Sequence, residues 1–446
     1  MPGTDGASTR EQQQIDLITT TVVGVVAHPE GWRDDPAGVD YLYRANRLIV
    51  RDANVDSVVN FFLDEEGLVE PAERQERATA YRSDDDPELA GATVLTVPDE
   101  LWARREGDIL PDLQRREGPG AVGYDHLFYV CNHSCAAIEP ERPPAGPAVP
   151  VPRPQLYSAA LSHHGAGVHV RVLDTGLVQD AATDHTWLAE VDGDLDPAGQ
   201  GGSPIPQDGG HGTFTAGCVR VTAPEADVYV VNAVRDLPRN NGAPELGAVF
   251  ESRLADVLRR QLVADEGQDP VPVPDVIVLN FAGMTRDGRP PVALAALYDS
   301  VIQHLAEPLI LSPAGNEGDQ RKNWPASFDW VVSVGGLAGD GTRASWSNHG
   351  RSVDVYAPGD RLVNAYAKGA YTPTWDGQPN APVQFQGMAL WSGTSFSTPL
   401  VAGLVAARMS STGQSSRRAW ESLLGLAERQ AVPGLGPVLY PGQELA

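Results

Sequence analysis

The sequence predicts an α/β protein: a mostly parallel sheet with helices on both faces, plus a smaller N-terminal α+β domain. Three observations lead there. In the second part of the chain, apolar runs of strand length alternate with amphipathic runs of helix length. A Pro-rich stretch, residues 139–154, divides the sequence, with seven prolines in sixteen residues. The part before it carries strands and helices without that alternation. A length of 446 residues suits two or three domains.

Residues 1–138 read as the α+β domain. The run 47–52 is a strand. Over 54–66, Val55, Val58, Val59, Phe62 and Leu63 recur at helical spacing, behind Asn54 as the expected cap. Two further strands are expected at 92–97 and 126–131. The charged segment 74–88 reads as a solvated loop or an exposed helix. The prolines of 139–154 favour an extended linker, since the ring removes a backbone donor and fixes φ.

Residues 155–446 read as the second domain. Strands are expected at 168–174, 227–234, 275–283, 308–316 and 330–336. One helical pattern uses Leu246, Val249, Phe250, Leu254, Val257, Leu258 and Leu262; another spans 292–306. In a sheet of this kind ligands bind beyond the carboxyl ends of the strands.

Charge narrows the partners. With 59 acidic and 33 basic residues the formal charge is −26, which repels phosphate backbones and anionic lipid. No nucleic acid or membrane partner is expected. The three cysteines, Cys131, Cys135 and Cys218, are too few and odd in number for a disulfide framework. The "CNHSC" stretch favours free thiols over a metal site, with a local disulfide as the alternative. The apolar run 17–27 lacks the basic flank of a signal peptide, and no run reaches membrane-span length. A cytoplasmic location is the expectation.

Four short motifs sit where strands end. "VLDTG" places Asp174 at a strand terminus. Its aspartic-protease reading needs a second equivalent motif, and none exists; its plain reading is a turn aspartate. "DGGHGTFTAG" sets His211 behind two glycines and ahead of a helix. "SPAGNEG" carries Asn316, either a turn residue or an amide donor to a developing oxyanion. "SGTSFSTPLVAG" puts Ser395 at the mouth of an apolar helix, as a cap or as a nucleophile. The remaining histidines, such as His163 and His349, have no comparable setting.

Taken in order, Asp174, His211, Asn316 and Ser395 resemble the motifs of the subtilisin-like serine proteases, the subtilases of peptidase family S8. "RASWSNHGRSVDVYAPG" (343–359) adds to the likeness, which covers about residues 160–410. The chain order Asp, His, Ser agrees. The resemblance implies a serine endopeptidase acting on proteins or peptides. Ser395 would be the nucleophile, His211 the base and Asp174 its orienting partner. Asn316 and the Ser395 N–H would form the oxyanion hole. A catalytically silent binding protein on the same fold is the alternative. An esterase would carry Gly-x-Ser-x-Gly and a different chain order.

The resemblance also implies a substrate strand lying beside Asn280, Phe281, Ala282 and Gly283 and beside Ser312, Pro313, Ala314 and Gly315. The chain departs here from the family's Ser-Leu-Gly, and Phe281 and Ala282 are expected to narrow the cleft. Gly393 is expected to allow a sharp approach to Ser395, and Pro399 to occupy the first helical turn. Asp192, Asp194 and Asp196 offer hard oxygen ligands for calcium, but a solvated acidic loop is the preferred reading. No metal and no cofactor are expected. The opening 47–65 resembles the start of an inhibitory propeptide. On that reading the first domain restrains activity with its tail in the cleft; otherwise it is an accessory domain.

Overall fold

The computed structural model describes residues 10–29, 38–83, 85–105, 109–130, 139–144, 150, 163–240, 243, 245–264, 272–373 and 381–442. The first domain comprises α1 (Arg10–Thr21), β1 (Val25–His28), β2 (Tyr41–Arg51), α2 (Val55–Glu65), α3 (Pro71–Thr79), β3 (Ala92–Thr96), α4 (Asp99–Arg105), α5 (Ile109–Glu117) and β4 (Val122–Tyr129). The apolar stripe of α2 is buried with Leu48, Val50, Leu95 and Val122 of the strands, as its spacing requires. Asn54 does not cap α2 with its side chain. Its amide donates to Glu117 instead, tying α2 to α5.

The second domain is built on seven strands. These are β5 (His169–Asp174), β6 (Asp192–Gly193), β7 (Asp227–Asn232), β9 (Val276–Leu279), β10 (Leu309–Pro313), β11 (Val331–Leu337) and β12 (Val355–Pro358). Their order is β12-β11-β10-β9-β5-β7-β6, and every pairing is parallel. Alternate residues face opposite ways. Val170, Val172, Val276 and Val278 pack with α6 (His211–Thr222), α9 (Thr394–Thr412) and α10 (Ser416–Arg429). Leu173, Ile277, Leu279 and Ile310 pack on the other face with α7 (Glu251–Arg260) and α8 (Val292–Ser300). The α/β architecture with helices on both faces is therefore present. A hairpin, β13 (Leu362–Tyr371) with β14 (Val383–Trp391), leads into α9.

Two local expectations change. Leu246, Val249 and Phe250 do not begin a helix. Residues 248–250 form a strand, β8, and α7 starts only at Glu251. β8 pairs antiparallel with β4, matching Ala248 with Tyr129 and Phe250 with Leu127. The first domain's sheet, β1-β2-β4-β8 with β3 on β2, thus takes its last strand from the second domain. Second, Pro399 lies inside α9, beyond the first turn. Having no N–H, it leaves the Ser395 carbonyl without the usual i+4 donor. At its start the linker also pairs with the second domain: Glu141 exchanges backbone hydrogen bonds with Leu390 of β14. Most of 145–154, like Cys131 and Cys135, lies outside the described residues.

Candidate active site

β5 ends on Asp174, and β9 ends one residue before Asn280, on the neighbouring strand. His211 is the first residue of α6, behind Gly210, whose φ of 82° is a left-handed backbone that a side chain would strain. From opposite elements the two side chains meet: His211 Nδ1 lies 2.8 Å and 2.9 Å from the two Asp174 oxygens, and both residues are fully buried. Three further donors reach the same carboxylate. They are the Thr175 N–H, the Thr215 hydroxyl and the Asn280 amide, the last at 2.7 Å. With His211 that makes four donors, enough to satisfy a carboxylate buried in a dry site. The imidazole packs against Phe396 and edge-on to Trp391, ring centres 5.0 Å and 5.3 Å away.

Ser395 is the second residue of α9, so its N–H is among the helix's unpaired first-turn donors. Gly393 is extended, with φ 161°, and a Cβ there would meet only ordinary contacts. The approach to Ser395 therefore passes through extended backbone at Gly393, not the sharp turn expected there. Asn316 leaves β10 on the adjacent loop. Its Oδ1 accepts the Thr394 N–H at 2.9 Å and the Thr394 hydroxyl at 2.8 Å. That fixes the orientation of the amide, with its donor Nδ2 on the side of Gly393, next to the first turn of α9. Asn348 braces the loop from outside. It donates to the Ala314 carbonyl and accepts the N–H groups of Glu317 and Asp319. Gly315, at φ 105°, is needed: a Cβ would fall 2.2 Å from the Asn323 amide. Glu317 lies half-buried beneath, and desolvation of its carboxyl pushes it above the usual range.

The cleft beside these groups is filled by the chain itself. Tyr129 and Ala282 exchange backbone hydrogen bonds at 3.0 Å and 2.9 Å, and the Val130 N–H donates to the Gly247 carbonyl at 2.7 Å. The end of β4 is therefore a central strand between 247–250 and 282. Next to its last paired residues, the Val130 carbonyl accepts the Ser395 hydroxyl at 2.8 Å. Glu139 and Glu141 lie against the hairpin upstream of Ser395: the Tyr371 hydroxyl donates to Glu139, and Glu141 pairs with Leu390 of β14.

Among the described residues, Ala282 alone of the expected substrate-contacting residues pairs with this strand through its backbone. The Asn280 side chain turns to Asp174 and Thr215. The Phe281 ring is fully buried in the core cluster of α7 and α8. Gly283 pairs with Trp324. Ser312 donates to the Phe281 carbonyl, Pro313 and Ala314 continue β10, and Gly315 is packed as above. Among the described residues, no group of three His, Cys, Asp or Glu is arranged to hold a metal. Asp194 accepts from Tyr229 and the Asn232 N–H, and Asp192 is exposed. Cys218 is a buried free thiol. Sequence reasoning missed Val130, which lies in no motif, and the roles of Thr215 and Asn348, which lie inside the His211 motif and the stretch 343–359 without being singled out.

The seam between the domains holds a second buried polar group. Asp125 and His126 of β4 face the first turn of α7. Asp125 accepts the N–H and hydroxyl of Ser252, and burial pushes its carboxyl up to about 6. His126 Nδ1 lies 3.3 Å from Glu251, and its Nε2 accepts the Arg286 N–H. Burial lowers His126 to about 4 and raises Glu251 to about 8.

The profile of the Subtilase family, peptidase S8, matches residues 165–431. The match covers more than half of the chain, and the chain belongs to that family. A subtilisin-like protease 1 of Pseudogymnoascus destructans is 30% identical over 256 residues, covering 56% of this chain and 54% of its own. An intracellular serine protease of Paenibacillus polymyxa is 28% identical over 261 residues, 54% of this chain and 66% of its own. The alignments thus span less than two thirds of those relatives' lengths. A solved structure of a lanthipeptide protease aligns over 66% of this chain and 92% of its own, at 22% identity and a TM-score of 0.45. Among the described residues, no helix is long and apolar enough to cross a membrane.

Proposed function

We propose that the chain is a serine endopeptidase whose first domain restrains it by occupying the substrate strand position. The observation that carries this is the Ser395 hydroxyl on the Val130 carbonyl, at the end of a strand paired on both sides. A peptide substrate would lie there in the same way, bound by backbone hydrogen bonds.

His211, oriented by Asp174, takes the Ser395 proton as the oxygen attacks the substrate carbonyl carbon. The carbonyl oxygen becomes an anion. Asn316 Nδ2 and the Ser395 N–H receive it at a helix N-terminus, where the dipole adds to the attraction. The imidazolium returns its proton to the leaving amine, and the C–N bond breaks to give an acyl-enzyme. Water, deprotonated by His211, releases the acid and restores Ser395. Proteins or peptides in extended form are the substrates, the cytoplasm is the proposed place of action, and no cofactor enters these steps.

The test is intact mass after purification together with fluorophosphonate labelling, wild type beside Ser395→Ala. Wild type should label and should accumulate fragments parted just beyond Val130. The variant should stay whole and unlabelled. Equal labelling of the two proteins would overturn the reading.

A further inference from the structure

The acidic loop 191–196 has a use that metal binding does not supply. Asp196 is buried, 2% exposed. Its Oδ2 accepts the Thr175 hydroxyl at 2.9 Å and the Gly210 N–H at 2.8 Å, and its Oδ1 accepts the Ala198 N–H at 2.9 Å. Thr175 follows Asp174, and Gly210 precedes His211. The Thr175 hydroxyl also accepts the Gly212 N–H at 3.1 Å, on the far side of His211. One carboxylate therefore ties the backbone next to Asp174 to the backbone flanking His211, although those residues are 37 apart in sequence.

We propose that Asp196 is a positioning residue: through Thr175 and Gly210 it sets the distance and angle at which His211 meets Asp174. This rests on the protease reading only for its consequence in turnover; the geometry stands without it. Burial pushes the Asp196 carboxyl up to about 6, so its charged form sits here at a cost. Two backbone N–H groups and a hydroxyl aimed at it offset that cost. They leave no acceptor for an amide nitrogen. Asparagine would keep the shape but bring a donor against the N–H of Gly210 or of Ala198.

The experiment uses the full chain and the isosteric variant Asp196→Asn, with Thr175→Val and Thr175→Ser as a second pair. Thr175→Val deletes the hydroxyl at constant shape; Thr175→Ser retains it. Two readouts are taken. One is the low-field Nδ1–H proton resonance of His211, assigned by its absence in His211→Ala, which needs no turnover. The other is Ser395-dependent peptide hydrolysis. Asp196→Asn and Thr175→Val should shift or broaden the resonance. Their kcat should fall on the order of 10- to 10²-fold with KM within about two-fold, and Thr175→Ser should restore both. A wild-type resonance in folded Asp196→Asn, or in Thr175→Val should the first variant not fold, overturns the proposal. Loss of turnover in wild type with the resonance intact would count against the protease reading alone, and the resonance would still decide the role of Asp196.

Discussion

Phe128→Ala asks whether the first domain's hold on the cleft is the hold described. Phe128 is fully buried, and its cluster is made largely of second-domain residues, among them Leu254, Leu258, Ile277, Phe281 and Leu297. The ring lies so close to the opposite backbone that a Cβ on Gly283 would sit 2.7 Å from Phe128 Cδ1. Truncating it empties a site that cannot easily collapse. Phe→Ala in such surroundings costs about 3 to 5 kcal/mol. The first domain has its own core, built on Phe62, Leu95 and Leu113, without Phe128. Most of the loss therefore falls on docking rather than on that domain's folding. At the lower end, ~3 kcal/mol shifts the vacated-to-occupied ratio of the cleft by roughly 10²-fold. The assay is the rate of fluorophosphonate labelling of Ser395 in the full-length protein, beside its melting temperature. Labelling should accelerate by about that factor until reaction with the probe itself becomes limiting. An unchanged rate in a folded variant would refute the reasoning, since the cleft would then not depend on this strand.

Two further outcomes follow from named bonds. Asn316→Asp keeps the acceptor that Thr394 uses but removes the Nδ2 donor, so kcat should fall roughly 10²- to 10³-fold with KM little changed; steady-state hydrolysis of a peptide substrate checks it. Asp125→Asn keeps both partners on Ser252 and removes a buried charge. The wild-type carboxyl titrates near 6 in the folded protein and near 3.8 unfolded, so the folded state binds more protons between those values and wild type loses stability as pH rises through them. The variant should match wild type near pH 4 and melt higher at pH 8, by up to about 3 kcal/mol at the limit of that shift. Thermal unfolding at the two pH values measures the gap, and a gap that closes as pH rises would contradict the sign.

What the sequence made legible was whatever is encoded locally. Asp174, His211 and Asn316 each follow a strand end or open a helix within a few residues of a distinctive turn. The β-α alternation likewise needs only the periodicity of each segment. β8 was not legible. Leu246, Val249 and Phe250 have helical spacing and run straight into α7, and residues 248–250 become a strand only because β4, more than a hundred residues away in sequence, pairs with them. For the same reason Val130 carries no mark as an occupant of the cleft. Phe281 read as a cleft residue because it stands where the family has Ser-Leu-Gly, yet the period of a strand sends alternate side chains to opposite sides. Asp196 read as solvated because nothing in "VDGDLD" tells a buried acid from an exposed one.

The borrowed strand has a consequence for selectivity. Once the end of β4 leaves, β8 and Ala282 face each other across a slot with the amide donors and acceptors that had bound it. Such groups accept almost any extended polypeptide, because they bind the main chain that all sequences share. They reject a folded one, whose main chain is already engaged. On the proposed protease reading, discrimination would then rest less on letters of sequence than on whether a partner can offer a straight, unengaged stretch of chain, which favours unfolded chains and floppy termini.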